Sequence, residues 1–210
     1  MTIEDPMGPP TPKQDRSRVT RMKLLEAAGR ALCEMGFAGT TTTVVAKRAG
    51  VSQGALYKHF GSKQQLIAAT TEYLFEGLIE HFREAFSRAS TGSDRIARAL
   101  PSLWAVFLTP ELYAVVELYI AARTDEPLRE ALVPVLLQHR ENLRAEARLL
   151  FPEAAEQNPR FDVVVDSLMA ALQGAAVSAA VLGGVTEAAD LGEFLEEMCR
   201  RELDPPYGEV

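Results

Sequence analysis

Two cysteines in 210 residues, Cys33 and Cys199, exclude a scaffold built on disulfides. Buried structural thiols are the simpler reading, a redox pair the alternative, and the scarcity fits a reducing cytoplasm. No hydrophobic run approaches the roughly 20 residues of a membrane span. The opening MTIEDPMGPPTPKQD is polar and proline-rich with no apolar centre. It reads as a flexible tail over residues 1–15, not as a signal peptide. Neither a P-loop nor a dinucleotide-binding glycine pattern occurs. The histidines are scattered: His81 stands beside Glu80 and His139 stands alone, so no metal-ligand spacing arises and no metal or cofactor is expected. There is no internal repeat and no convincing alternation of apolar and polar residues, which leaves an all-α chain.

Charge is abundant but unevenly placed. Residues 1–63 hold ten Lys/Arg against five Asp/Glu, a net of +5, whereas residues 64–210 hold 12 against 24, a net of −12. A basic head on an acidic body expects a polyanion to meet the head alone. With 47% hydrophobic residues, the chain can bury a sizeable core.

Helical periodicity runs from residue 16 to 203. Met22, Leu25, Ala28, Leu32 and Met35 mark a first helix that Gly36 stops. Hydroxyls within Thr40–Thr43 can cap a second helix over about 43–49, and Ser52 a third over about 53–59. Ser62 and Gln65 form a capping box for a long helix reaching about residue 88. STGSD at 90–94 reads as a linker. Further helices are expected over about 96–107, 110–122, 126–150, 160–182 and 187–202, with FPEAAEQNP as a loop and DPPYGEV as a tail over 204–210. Pro101 and Pro134 are expected to bend the helices that contain them. This divides the chain into a three-helix unit over 16–63 and a helical body over 64–203, about nine helices in all.

Residues 42–60, TTVVAKRAGVSQGALYKHF, carry the chemistry. Two short helices meet at Gly50, a residue suited to a backbone reversal at positive φ. Ala46 and Ala49 are small where the helices cross, and Val45, Val51, Leu56 and Phe60 face inward. That is the spacing of a helix-turn-helix whose second helix enters the DNA major groove. Gln53 and Gly54 at its start would lie nearest base edges, since Gln pairs with adenine N6 and N7. Tyr57, Lys58 and Lys63, with the hydroxyls of Thr42 and Ser52, suit phosphates, and His59 suits a phosphate contact or the helix surface.

The segment TTTTVVAKRAGVSQGALYKHFGSKQQLI resembles the signature of TetR/AcrR-type transcription regulators. The likeness covers about residues 20–67, including Gly36-Phe37, the AGVS turn, ALYKHF and Gly-Ser-Lys. It implies DNA contacts by Thr42, Ser52, Gln53, Tyr57, His59 and Lys63, a homodimer through the last two long helices, and a ligand cavity after about residue 64. Repression of a palindromic operator, relieved by a small and mostly apolar effector, is the mode that the resemblance implies.

Two other functions compete. Gly50-Val51-Ser52-Gln53-Gly54 also matches the G-x-S-x-G elbow of hydrolases, but the charged AKRAG separates the strand-like run from Ser52 and no strand–helix series follows. A helical adaptor without DNA binding would leave the basic head unexplained. No enzyme is expected. In the body, Trp104, Phe107, Tyr113 and Tyr119, with Phe82, either line an apolar pocket whose polar groups are Glu117 or Arg123, or simply pack as core. Apolar faces at Val165, Leu168, Met169 and Leu172, and at Leu191, Phe194, Leu195 and Met198, are the expected dimer contacts. The small residues Ala170, Ala171, Gly174, Ala175, Ser178 and Ala179 suit close helix approach, either across a dimer or within one subunit.

Overall fold

A computed structural model describes residues 12–88, 95–182 and 187–203. Every regular element among them is an α-helix: α1 (Pro12–Gly39), α2 (Thr42–Ala49), α3 (Gln53–His59), α4 (Lys63–Arg88), α5 (Arg95–Phe107), α6 (Pro110–Ala122), α7 (Glu126–Leu150), α8 (Pro152–Gln157), α9 (Phe161–Leu182) and α10 (Glu187–Leu203). The chain thus has ten described helices, one more than expected. The extra one, α8, occupies most of the expected loop: Pro152 opens it, Glu-Ala-Ala-Glu-Gln favours it, and Ala154 is buried beneath it. Residues 12–15, assigned above to the tail, begin α1. The linker at 90–94 and the tail at 204–210 lie outside the described residues.

α1 buries more than one stripe. Leu24, Leu25, Ala27, Ala28, Ala31 and Leu32 are all buried, whereas Met22 and Met35, expected to face the core, are 42% and 39% exposed. The alanines allow the helix to pack against α2, α4 and α6 on different sides. Gly36 interrupts it at φ 68°, ψ −178°, a region reserved in practice for glycine, and one further turn ends at Gly39.

Three core clusters are arranged along α4. Its first turn gives Leu66 to a core with Leu24, Leu25, Val45, Leu56 and Phe60. Its middle gives Ile67, Leu74, Phe75 and Leu78 to a second core with Leu118, Leu128 and Leu132. Phe82 and Phe86 enter a third with Leu103, Phe151, Phe161, Leu168 and Leu195. Buried Thr70 and Thr71 are satisfied by donating to the carbonyls of Leu66 (2.8 Å) and Ile67 (2.9 Å) one turn back. α4 is therefore one continuous helix shared by the N-terminal unit and the body.

Ion pairs tie α7 to its neighbours: Arg83 on α4 forks onto Glu146, and Arg144 and Arg148 reach Asp166 and Asp162 on α9. α9 has the length and mean hydropathy of a membrane span, contrary to the sequence expectation, because Asp162 and Asp166 break the uninterrupted run but not the average. Val164, Val165, Leu168, Leu172 and Ala176 nevertheless place one side of α9 in the third core.

That packing occupies half of the expected dimer face. Val165, Leu168, Leu172 and Leu195 are at most 5% exposed within the single chain, packed into its own core. Met169, Leu191 and Met198 are half-buried and Phe194 is 62% exposed. The outward side of α9 instead carries Val163, Ser167, Ala170, Gly174, Val177 and Val181, at alternating four- and three-residue steps without a charge.

Candidate nucleic-acid interface and body cavity

Local capping shapes the interface. The Thr41 hydroxyl accepts the Val44 amide (3.2 Å), and the Ser52 hydroxyl accepts the Ala55 amide (3.1 Å), so α2 and α3 both begin on a satisfied N-terminus. Between them Gly50 adopts the left-handed conformation at φ 68°, ψ 33°, and the Val51 amide returns to the Ala46 carbonyl (3.0 Å). Fully buried Val45 and Leu56 lock the two helices together. Gln53, Gly54, Tyr57 and Lys58 are left exposed in a row on α3, while His59 is half-buried beside Phe60.

The outer faces of α2 and α3 are cross-linked. Gln53 Nε2 donates to Thr43 Oγ1, and the hydroxyls of Thr42 and Tyr57 lie 3.3 Å apart. Thr43 was not among the expected site residues; its place in a run of four threonines hid which hydroxyl would face α3. Lys63 is less free than expected. Its ammonium sits 4.3 Å over the Phe37 ring and 3.4 Å from the Phe37 carbonyl. At α4 the box is offset: the Ser62 hydroxyl accepts the Gln65 amide (3.1 Å), but the Gln65 side chain accepts from Gly61 (3.0 Å). Arg48 is held by Glu34 at 2.7 Å, whereas Lys47 and Lys58 have no ion-pair partner among the described residues.

In the body, α4, α5, α6, α7 and α9 line a cavity of about 410 Å³ that is open to solvent on the side of Tyr119, Val133 and Leu137. Phe75, Phe107, Leu112, Val115, Tyr119, Leu136, Leu143 and Met169 give it apolar walls, and His139, Arg140, Asp166 and Gln173 supply polar groups. A second cavity of about 250 Å³ lies between α5, α9 and α10 at Leu100, Pro101, Trp104, Leu172 and Leu191. The expected ligand residues are therefore dispersed. Phe107 and Tyr119 line the larger cavity and Trp104 the smaller; Phe82, Tyr113, Glu117 and Arg123 line neither. Phe82 and Tyr113 pack in the third core, the Tyr113 hydroxyl donating to the Ala176 carbonyl at 3.4 Å. Arg123 sits at the C-cap of α6.

His139 was read as an isolated histidine, and its partner explains why the sequence concealed it. Its ring stacks on Phe75, 64 positions away, at 3.6 Å and 4°. Burial pushes its pKa down to about 4, so the imidazole is neutral at pH 7, and Nδ1 is buried with no hydrogen-bond partner. The thiols are held protonated at pH 7 for a related reason. Burial, reinforced by Glu111 and Glu34, raises Cys33 to about 11, and burial raises Cys199 to about 12.

Glu117 has a different place from the one expected. On α6 it points away from the cavity, and its Oε1 accepts the Phe37 amide at 2.8 Å. A Cβ on Gly36 would lie 2.6 Å from the other carboxylate oxygen, so the carboxylate occupies space that only glycine leaves. Phe37 thus joins three helices: its amide meets Glu117 of α6, and its carbonyl and ring meet Lys63 of α4.

A helix-turn-helix with an exposed second helix, carried on a helical body with a largely apolar cavity, is the arrangement of a DNA-binding transcription regulator. A family model described as "Bacterial regulatory proteins, tetR family" matches residues 24–70. The chain is 32% identical over 170 residues to an uncharacterized HTH-type transcriptional regulator of Mycobacterium tuberculosis, covering 81% of this chain and 87% of that one. It is 32% identical over 143 residues to the HTH-type transcriptional regulator BetI of Rhizobium meliloti, covering 67% and 70%. Its fold is similar to that of a TetR-family regulator from Rhodococcus sp. (TM-score 0.66, 20% identity, 89% and 100% covered) and to the multidrug binding protein EbrR complexed with imidazole (TM-score 0.62, 25% identity, 89% and 96% covered). The chain belongs to the tetR family of bacterial regulatory proteins.

Proposed function

We propose that the protein is a cytoplasmic homodimeric repressor that grips a palindromic operator and lets go when a small, mostly apolar effector enters the larger cavity. One observation carries this reading: α6 contributes Leu112, Val115 and Tyr119 to the cavity wall and, from its opposite side, Glu117 to the Gly36-Phe37 turn. An effector that displaces α6 therefore acts on α1 and, through Lys63, on the start of α4. Two such units, with recognition helices about 34–36 Å apart, each read half a palindrome, and a change in that spacing releases the DNA.

Gln53 and Gly54 read bases in this scheme. Thr42, Ser52, Tyr57, Lys58, His59 and Lys63 position the backbone, Lys63 by exchanging Phe37 for a phosphate. The uncharged stripe from Val163 to Val181 on α9, with Leu191, Phe194 and Met198 on α10, forms the isologous dimer contact. Domain limits of 16–63 and 64–203 separate reading from sensing, with α4 crossing both.

A thermal-shift screen followed by operator titration with each ligand that binds tests the coupling. Reciprocity requires that operator DNA weaken a true effector by the same factor as the effector weakens operator binding. Glu117→Ala should leave effector binding intact and reduce that factor. Ligands that bind tightly yet leave operator affinity unchanged would overturn the sensing mechanism.

A further inference from the structure

The larger cavity has one charged side chain without a protein partner. Its one carboxylate, Asp166, is already matched by the Arg144 guanidinium, with Nε to Oδ1 at 3.0 Å. Its one cation, Arg140, is solvent-exposed and has no hydrogen bond or ion pair to protein among the described residues. The Tyr119 phenol lies near enough to feel that guanidinium: burial raises its pKa and Arg140 opposes the rise. The Tyr119 hydroxyl has no hydrogen-bond partner among the described residues either. Gln173 and His139 complete the polar part of the lining, and both are neutral at pH 7. The rest of the wall is hydrocarbon or aromatic.

We propose that the effector is an amphipathic organic acid, whose carboxylate is bound by the Arg140 guanidinium and the Tyr119 hydroxyl while its apolar body fills the space between Phe75, Val115 and Met169. The inference rests on the reading of this cavity as the effector site and names the effector's chemistry. A cationic ligand would face an unpaired guanidinium with no free carboxylate to oppose it. A wholly apolar ligand would leave Arg140 and Tyr119 without new partners and gain no charge-assisted bond. A volume of about 410 Å³ lies low in the range of small-molecule sites and suits a body of one or two rings or a short alkyl chain.

The test uses the full chain and three matched probes: 4-phenylbutyric acid, its amide and the corresponding amine, titrated by calorimetry at pH 7. The acid should bind more tightly than the amide by about 10- to 100-fold, the range of a hydrogen bond to a charged group. The amine should bind most weakly. Arg140→Gln should erase the preference for the acid and leave the amide's affinity unchanged, while Arg140→Lys should restore most of it. Unaltered circular dichroism of the variants keeps the comparison on binding. Equal or tighter binding of amide or amine would overturn the acid assignment, as would a preference that survives Arg140→Gln or a failure of the acid to bind at millimolar concentration. Acid binding that depends on Arg140 but leaves operator affinity unchanged supports the ligand class and instead defeats the reading of the cavity as a sensor.

Discussion

The N-terminal unit and the body are made of the same element, yet they are specified differently. In the unit, helix limits follow from neighbours in sequence: Thr41 and Ser52 cap, Gly50 turns, and Leu56 plugs the crossing. In the body, long helices are held by partners tens of residues away, such as Phe75 with His139 and Arg144 with Asp166. A small unit with a single small core should fail as a whole when that core is cut, while the body, with two larger cores, should yield by degrees.

The sharpest way to break the comparison is Leu56→Ala. Leu56 is fully buried in the small core, and its truncation should cost about 2–5 kcal/mol. Hydrogen exchange should rise across α2 and α3 while α7 and α9 stay protected. Uniform loss of protection would mean that unit and body unfold together.

Next come the two glycines at positive φ. Gly50→Ala meets nothing within 4 Å and has only the backbone cost, roughly 1 kcal/mol. Gly36→Ala has a less accessible ψ and a Cβ 2.6 Å from Glu117. Denaturant titration should place it at roughly 2–4 kcal/mol. Adding Glu117→Ala should recover part of that loss, a non-additivity absent for Gly50.

The acid side of the stability curve probes the body. Because the folded pKa of His139 is about 4 against an ordinary 6.5, the unfolded chain takes up its proton first as pH falls. Stability from this group is complete above pH 6.5 and is lost on descent toward pH 4, amounting to about 2 kcal/mol at pH 5. His139→Phe keeps the stack on Phe75 and should flatten the slope of Tm against pH between 7 and 5. An unchanged slope would place the titration elsewhere.

The smallest effect belongs to the Arg148–Asp162 pair, whose side chains are 44% and 38% exposed. A double-mutant cycle should return less than about 1 kcal/mol and shrink with added salt.

Where the sequence was readable, the signals were local. The limits of α3, α6 and α7 agree with expectation to the residue, because a serine cap or a proline in the first turn marks each start. Faces were harder. α9 is apolar on nearly every side, so periodicity could not say which apolar residues serve the chain's own core, and Val165, Leu168 and Leu172, expected at a dimer contact, pack there. The aromatic segment from Trp104 to Tyr119 was divided by the bend between α5 and α6, which sends Trp104 to one cavity and Tyr119 to another.

By itself the sequence determined the helical class, the helix-turn-helix and the division of charge between a basic head and an acidic body. Each depends on composition or on residues within one or two turns of one another. Tertiary structure alone decided that Glu117 leaves the cavity and grips the Phe37 amide, that His139 lies flat on Phe75, and that Arg140 stands unpaired at a cavity wall. Glu117 and Phe37 are 80 positions apart. No propensity or spacing encodes a meeting over that distance, which arises only when the packed cores set α6 across the end of α1.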